Sequence, residues 1–109
     1  MIKLKISPKA RDDLAEITDY ISQELCNPKA ALSLVSKITK KIRGLIEYPE
    51  IGAPLSSVID IVTDYRFLVC ANYFIFYRYE DGIIFVLRIL YGRRDYTHIL
   101  FGDLLEEGE

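Results

Sequence analysis

The dipeptide Asp81-Gly82, set between two runs rich in aromatic and β-branched residues, constrains this chain more than any other feature. A two-residue turn with positive φ at both positions accepts Asp-Gly readily, and its twist matches that of the flanking strands. Residues 73–79 and 83–91 are therefore expected to form an antiparallel hairpin. Residues 65–70 read as a third strand, with Ala71-Asn72 as the intervening turn and Asn72 as the residue that tolerates positive φ. Together they make a three-stranded antiparallel meander.

Two-residue loops fix the register, pairing Tyr79 with Ile84 and Val69 with Phe74. One face then collects Tyr65, Phe67, Val69, Phe74, Phe76, Ile83, Phe85, Leu87 and Ile89, with Arg78 near its rim, and should meet the helices. The other collects Arg66, Leu68, Tyr73, Ile75, Tyr77, Tyr79, Val86, Arg88 and Leu90, and is the candidate working face. A bulge would exchange the faces for one strand.

Upstream, residues 2–6 alternate apolar and basic, the period of a half-buried strand. Ser7-Pro8 is a helix cap followed by proline at the first helical position. Ala10, Leu14, Ile17, Ile21 and Leu25 recur at steps of three or four, as on one face of an amphipathic helix. Asn27-Pro28 repeats the cap signal, and Ala31, Leu34, Ile38, Ile42 and Leu45 form a second stripe, so the two helices make a hairpin. Pro49, Gly52 and Pro54 open a loop to about residue 63, and residues after Gly92 form a short C-terminal helix or coil. The expected class is α+β: an N-terminal strand, an α-helical hairpin, a meander packed on the helices and a short C-terminal helix.

The 109 residues suffice for one domain, so residues 1–109 are read as a single domain with an acidic tail that frays from about residue 103. Fourteen basic residues face sixteen acidic ones, but Asp103, Glu106, Glu107 and Glu109 crowd the end. The rest of the chain is weakly basic, too little for broad nucleic-acid coating. The lysines around residues 37–41 are either a binding patch or a solvated face. Cys26 and Cys70 stand far apart with one histidine in the chain, a pattern that excludes a zinc site and fits two free thiols in a reducing cytosol. The charged N-terminus and the lack of a long apolar run argue against a signal peptide and a membrane partner, which leaves a cytoplasmic protein.

The order of these pieces resembles the RelE/ParE superfamily of bacterial toxins over nearly the whole chain. The residues that carry the resemblance are Ala10-x-x-Asp13-Leu14-x-x-Ile17-x-x-Tyr20-Ile21, Pro49-x-x-Gly52, Tyr65-Arg66, residues 74–77, Asp81-Gly82 and the closing Tyr91-Gly92-Arg93-Arg94-Asp95. The resemblance implies the toxin of a type II toxin-antitoxin module, the kind that serves plasmid stabilisation. It also implies a cognate antitoxin that wraps and neutralises the toxin, with operator DNA reached only through that antitoxin.

The superfamily splits by mechanism. RelE-like toxins cleave mRNA in the ribosome and need a cationic clamp with a proton donor and acceptor beside it. ParE-like toxins bind and poison DNA gyrase. A RelE-like pattern places basic residues near Arg66, Leu68 and Phe74, yet only Arg66 is basic, and Tyr91 stands where histidine is common. The expectation is a ParE-like toxin that inhibits gyrase by binding, with no cofactor and no metal. Its target-binding candidates are Arg66, Tyr77, Arg88, Arg93 and Arg94, with Arg94 foremost.

One alternative is a ribosome-dependent endoribonuclease acting on mRNA through Arg66, Arg94, Tyr91, Tyr96 and His98, the last being the only imidazole. Another is a degenerate homologue that binds antitoxin without toxicity. Arg66 and Arg88 are expected either to meet a partner or to pair with acids such as Asp64 or Asp95, and one of Arg93 and Arg94 to pair with Asp95.

Overall fold

The computed structural model describes the backbone of residues 2–107 and the side chains of residues 2–102. The chain runs through β1 (Lys3–Ile6), α1 (Pro8–Asp19), a π-helical turn (Tyr20–Glu24), α2 (Pro28–Gly44), β2 (Ala53–Pro54), a short 3-10 turn (Leu55–Ser57), β3 (Arg66–Cys70), β4 (Tyr73–Glu80), β5 (Ile83–Tyr91) and α3 (Tyr96–Glu107). The strands form one five-stranded sheet in the order β1-β5-β4-β3-β2. β1 runs parallel to β5 and every other pairing is antiparallel. The α+β class is that expected, with one addition: β2 and the 3-10 turn lie in the stretch read as loop, and β2 extends the meander by pairing with β3. The acidic tail expected to fray lies outside the described residues, apart from the helical backbone path to Glu107.

Both helix starts follow the cap chemistry read from the sequence. Ser7 accepts the Ala10 amide at 3.0 Å and Asn27 accepts the Ala30 amide at 3.1 Å, each with proline at the next position. The first helix does not stay α-helical to Leu25: it widens into the π turn and closes on Cys26 at φ 51°. The Asp81-Gly82 turn has positive φ at both residues, 52° and 74°. In the other turn Ala71 takes positive φ, at 54°, and not Asn72 as expected. Tyr79 pairs with Ile84 and Val69 with Phe74, as expected.

The assignment of faces is corrected. Leu68, Tyr73, Ile75, Tyr77, Tyr79 and Val86, expected to look toward solvent, pack in the clusters built by α1, α2 and Leu45. The face of Tyr65, Phe67, Phe74 and Phe76, expected against the helical hairpin, is instead covered by Leu55, Ile59, Ile61 and the apolar side of α3. Alternation decides which residues share a face but does not decide which face meets which helix. The residues after β2 and the start of α3 supply a second apolar layer, so the sheet is covered on both sides.

A bulge completes the correction. Phe76 pairs with Arg88 and Tyr77 with Val86, which leaves Leu87 as the extra residue in β5. Beyond it the faces exchange, so Ile89 joins the α1–α2 cluster and Leu90 joins the α3 cluster. The bulge also locks the N-terminus of α1: Ser7 donates its hydroxyl to the Leu87 carbonyl at 2.8 Å and its amide to the Val86 carbonyl at 2.9 Å.

Candidate functional site

The register places the candidate residues at two ends of the sheet. Arg66 stands opposite Tyr77, while Tyr91 stands opposite Tyr73, four positions away along β4. At about 3.3 Å per residue the two levels are roughly 13 Å apart. The sequence candidates therefore divide into two groups.

At the first end the side chains are spent on the protein itself. Tyr77 is fully buried, donates its hydroxyl to the Pro49 carbonyl at 2.8 Å and accepts the Gly52 amide at 2.9 Å. Burial is the largest influence on this phenol and raises its pKa above the ordinary tyrosine value. Arg66 donates one guanidinium nitrogen to the Glu50 carbonyl at 3.1 Å and to the Gly52 carbonyl at 2.7 Å. The expected pairing of Arg66 with Asp64 is not made, because Arg78 takes Asp64 at 3.0 Å and Glu80 at 2.7 Å. Tyr77, a target-binding candidate from the sequence, is placed by the fold as a buried strut under the loop of Pro49 and Gly52.

Arg88 is likewise held inside the fold. Its Nε and one terminal nitrogen each donate to Asp13 of α1 at 2.8 Å. The Ile89 amide donates to the same carboxylate at 2.9 Å. The bidentate hydrogen bond to Asp13 is the main reason the Arg88 pKa is raised above the ordinary arginine value. Its expected partner Asp95 instead accepts the His98 amide at 3.2 Å and caps α3.

At the second end a groove of about 810 Å³ opens between α1, the π turn and the ends of β4 and β5. Ile17, Tyr20, Leu25 and Leu34 line its helical wall, and Tyr73, Ile89, Tyr91 and Arg94 line the other. Tyr73 and Tyr91 meet edge to face at 5.6 Å. Burial, then the neighbouring Tyr91 and Tyr20 hydroxyls, raises the Tyr73 pKa. Of the residues singled out in the sequence, Tyr91 and Arg94 reach this groove, and Arg93 is exposed next to them. Neither Arg93 nor Arg94 makes an ion pair among the described side chains.

Tyr96 and His98 are not part of this groove. Tyr96 packs on Phe74 and Phe76, with ring centres 5.4 Å and 5.3 Å away, in the cluster under α3. His98 is exposed on α3, with its ring beside Gly102. The site list read from the sequence omits Tyr20, Leu25 and Tyr73. Tyr20 and Leu25 project from a widened turn that regular helical spacing does not anticipate.

This arrangement defines a small α+β protein with a largely apolar, tyrosine-lined groove, edged by Asp13 and Glu16, and beside it two exposed arginines that make no ion pair among the described side chains. Residues 4–96 match the family model described as the ParE toxin of the type II toxin-antitoxin system parDE, and the chain belongs to that family. A solved structure titled "Chromosomal ParDE TA system from P. aeruginosa" is similar, with 29% sequence identity and a TM-score of 0.70, covering 84% of this chain and 96% of that one. No curated protein matches the chain. Among the described residues no helix is long and apolar enough to cross a membrane.

Proposed function

We propose that this toxin arrests growth from the cytoplasm by binding DNA gyrase, without chemistry of its own, through the surface that carries Tyr91, Arg93 and Arg94. The observation that carries this reading is the division of the arginines. Of the arginines singled out in the sequence, Arg66 and Arg88 are committed to Gly52 and Asp13, which leaves Arg93 and Arg94, exposed beside a groove with apolar and tyrosine walls. Such a surface suits protein recognition, in which arginine and tyrosine anchor interfaces. Cleavage of RNA calls for a cationic clamp around one proton donor, and Arg66, opposite Tyr77 and held by the Glu50 and Gly52 carbonyls, stands at the other end of the sheet from Tyr91 and Arg94.

Neutralisation follows from the same groove. A segment of the cognate antitoxin laid between α1 and the end of β5 would bury Leu25 and Tyr20, which are 56% and 54% exposed, and cover Arg94. Operator DNA is then contacted by the antitoxin of the complex.

The test is induced expression without antitoxin, with parallel labelling of DNA and protein synthesis, and a supercoiling assay with purified gyrase. Early loss of DNA synthesis with inhibited supercoiling is the expected result. Immediate loss of translation with cleaved mRNA would replace gyrase by the ribosome, and a chain that arrests nothing would be a homologue without toxicity.

A further inference from the structure

We infer that the loop between α2 and β2 is a second contact surface of the toxin, a rigid apolar mount for a lysine- or arginine-rimmed pocket on the folded target. The inference rests on the inhibitory binding proposed above and assigns it a site distinct from the groove.

The loop is held more firmly than its position requires. Tyr77 binds the Pro49 carbonyl and the Gly52 amide, and Arg66 binds the Glu50 and Gly52 carbonyls. Successive backbone bonds from Ile46, Glu47, Tyr48 and Ile51 close the turns that lead into it. Leu45, fully buried, pins its start. Gly52 admits nothing larger, since an added Cβ would lie 2.6 Å from the Tyr77 ring and 2.9 Å from the Phe67 carbonyl. Yet the apolar side chains that the loop carries are left in water: Tyr48 is 62% exposed and Ile51 65%. A fixed backbone that presents unpacked aromatic and branched side chains has little ordering entropy left to lose on binding.

The surroundings select the partner. Tyr48 and Ile51 border a shallow hollow of about 530 Å³ floored by Ile2, Pro49 and Tyr79. Glu47 and Glu50 flank it, and none of its lining residues is basic. Two carboxylates repel phosphates, which disfavours nucleic acid and anionic lipid, and attract lysine or arginine. A flexible tail gains most from a groove, whereas side chains projecting from a fixed backbone suit pockets already formed on a folded protein. The loop therefore adds a second contact with the folded target beside the surface of Tyr91, Arg93 and Arg94, and the antitoxin tail takes the groove itself.

The test compares the wild-type chain with Tyr48→Ser/Ile51→Ser and with Glu47→Lys/Glu50→Lys, in gyrase supercoiling and in growth arrest, with thermal melts as the fold control. Both double variants should melt like wild type. The serine variant should need at least about tenfold more protein for half-inhibition, the loss typical of one anchoring side chain. The charge reversal should weaken inhibition by an amount that shrinks with added salt. Folded variants that inhibit and arrest at the wild-type concentration overturn the inference, including when they have lost affinity for the antitoxin. A wild-type chain that arrests growth without inhibiting gyrase overturns the target assignment alone, and the loop is then judged by whether the variants still arrest. A wild-type chain that does neither overturns both.

Discussion

Asp13 on α1 and Arg88 on β5 are joined by two hydrogen bonds of 2.8 Å each, and the same carboxylate accepts the Ile89 amide at 2.9 Å. Asp13 is 7% exposed, so helix and sheet are tied at one buried point from residues 75 positions apart in the chain. The tie lies directly beside the bulge at Leu87, where the Arg88 side chain and the Ile89 amide both reach the Asp13 carboxylate.

Removing one partner leaves the other charge poorly solvated and unpaired. Asp13→Ala is expected to lower stability by about 3 kcal/mol, at the lower end for a broken buried pair because the Arg88 side chain keeps 21% exposure. Arg88→Met strands the more buried Asp13 and should cost at least as much as Asp13→Ala, and the double variant should cost less than the sum. Urea denaturation of the four chains measures the coupling, and strict additivity would refute it.

Tyr77 gives the fold an alkaline limit. Burial raises its folded-state pKa above the unfolded value, so the unfolded chain releases this proton first as pH rises. The contribution of the neutral phenol is then complete below about pH 10 and declines as pH climbs through the folded value. Tyr77→Phe should reduce stability by about 1–2 kcal/mol near neutrality through the loss of the Pro49 and Gly52 hydrogen bonds. It should also flatten the alkaline decline, with Tyr73 supplying the remainder. Urea midpoints on either side of about pH 10 decide the matter, and equal slopes for both chains would show that another group governs the limit.

Gly52→Ala examines the same contact from the opposite side. A Cβ placed 2.6 Å from both the Tyr77 ring and its hydroxyl must displace a buried side chain or the loop. The expected loss is about 1–3 kcal/mol, the usual range for overpacking a filled site. A melt unchanged from wild type would mean that the loop yields freely, and would weaken its role as a rigid mount.

How much of this was legible in the sequence depends on the range over which the information acts. Ser7, Asn27 and Asp81-Gly82 act locally, through caps and a turn, and their elements form where the residues indicate. The meander register followed as far as its turns could dictate it. The choice of face did not, because Leu55, Phe101 and their neighbours form an apolar layer that is recognisable only once the chain has folded back. Leu87 carries no local mark of a bulge, so the partners of Arg88 could not be read off. The candidate site was legible as a set of residue types. Which arginines are free depends on carboxylates and carbonyls contributed from distant elements, such as Asp13 and Gly52.

Arg94 gives the sharpest test of the division between structural and available cations. It lines the mouth of the groove, is exposed, and makes no ion pair among the described side chains, so Arg94→Ala should leave stability within about 0.5 kcal/mol of wild type. The folded variant should nevertheless lose growth arrest, and Arg93→Ala should weaken it, because both remove charge from the surface proposed to meet the target. Arg88→Met makes the contrast, since its effect should appear in the melt first and in toxicity only as far as the folded fraction falls. Toxicity is read by titrating inducer against growth rate at matched protein level. If folded Arg94→Ala arrests growth as well as wild type, the second end of the sheet does not carry the inhibitory contact, and the loop of Tyr48 and Ile51 becomes the surface to which the contact is assigned.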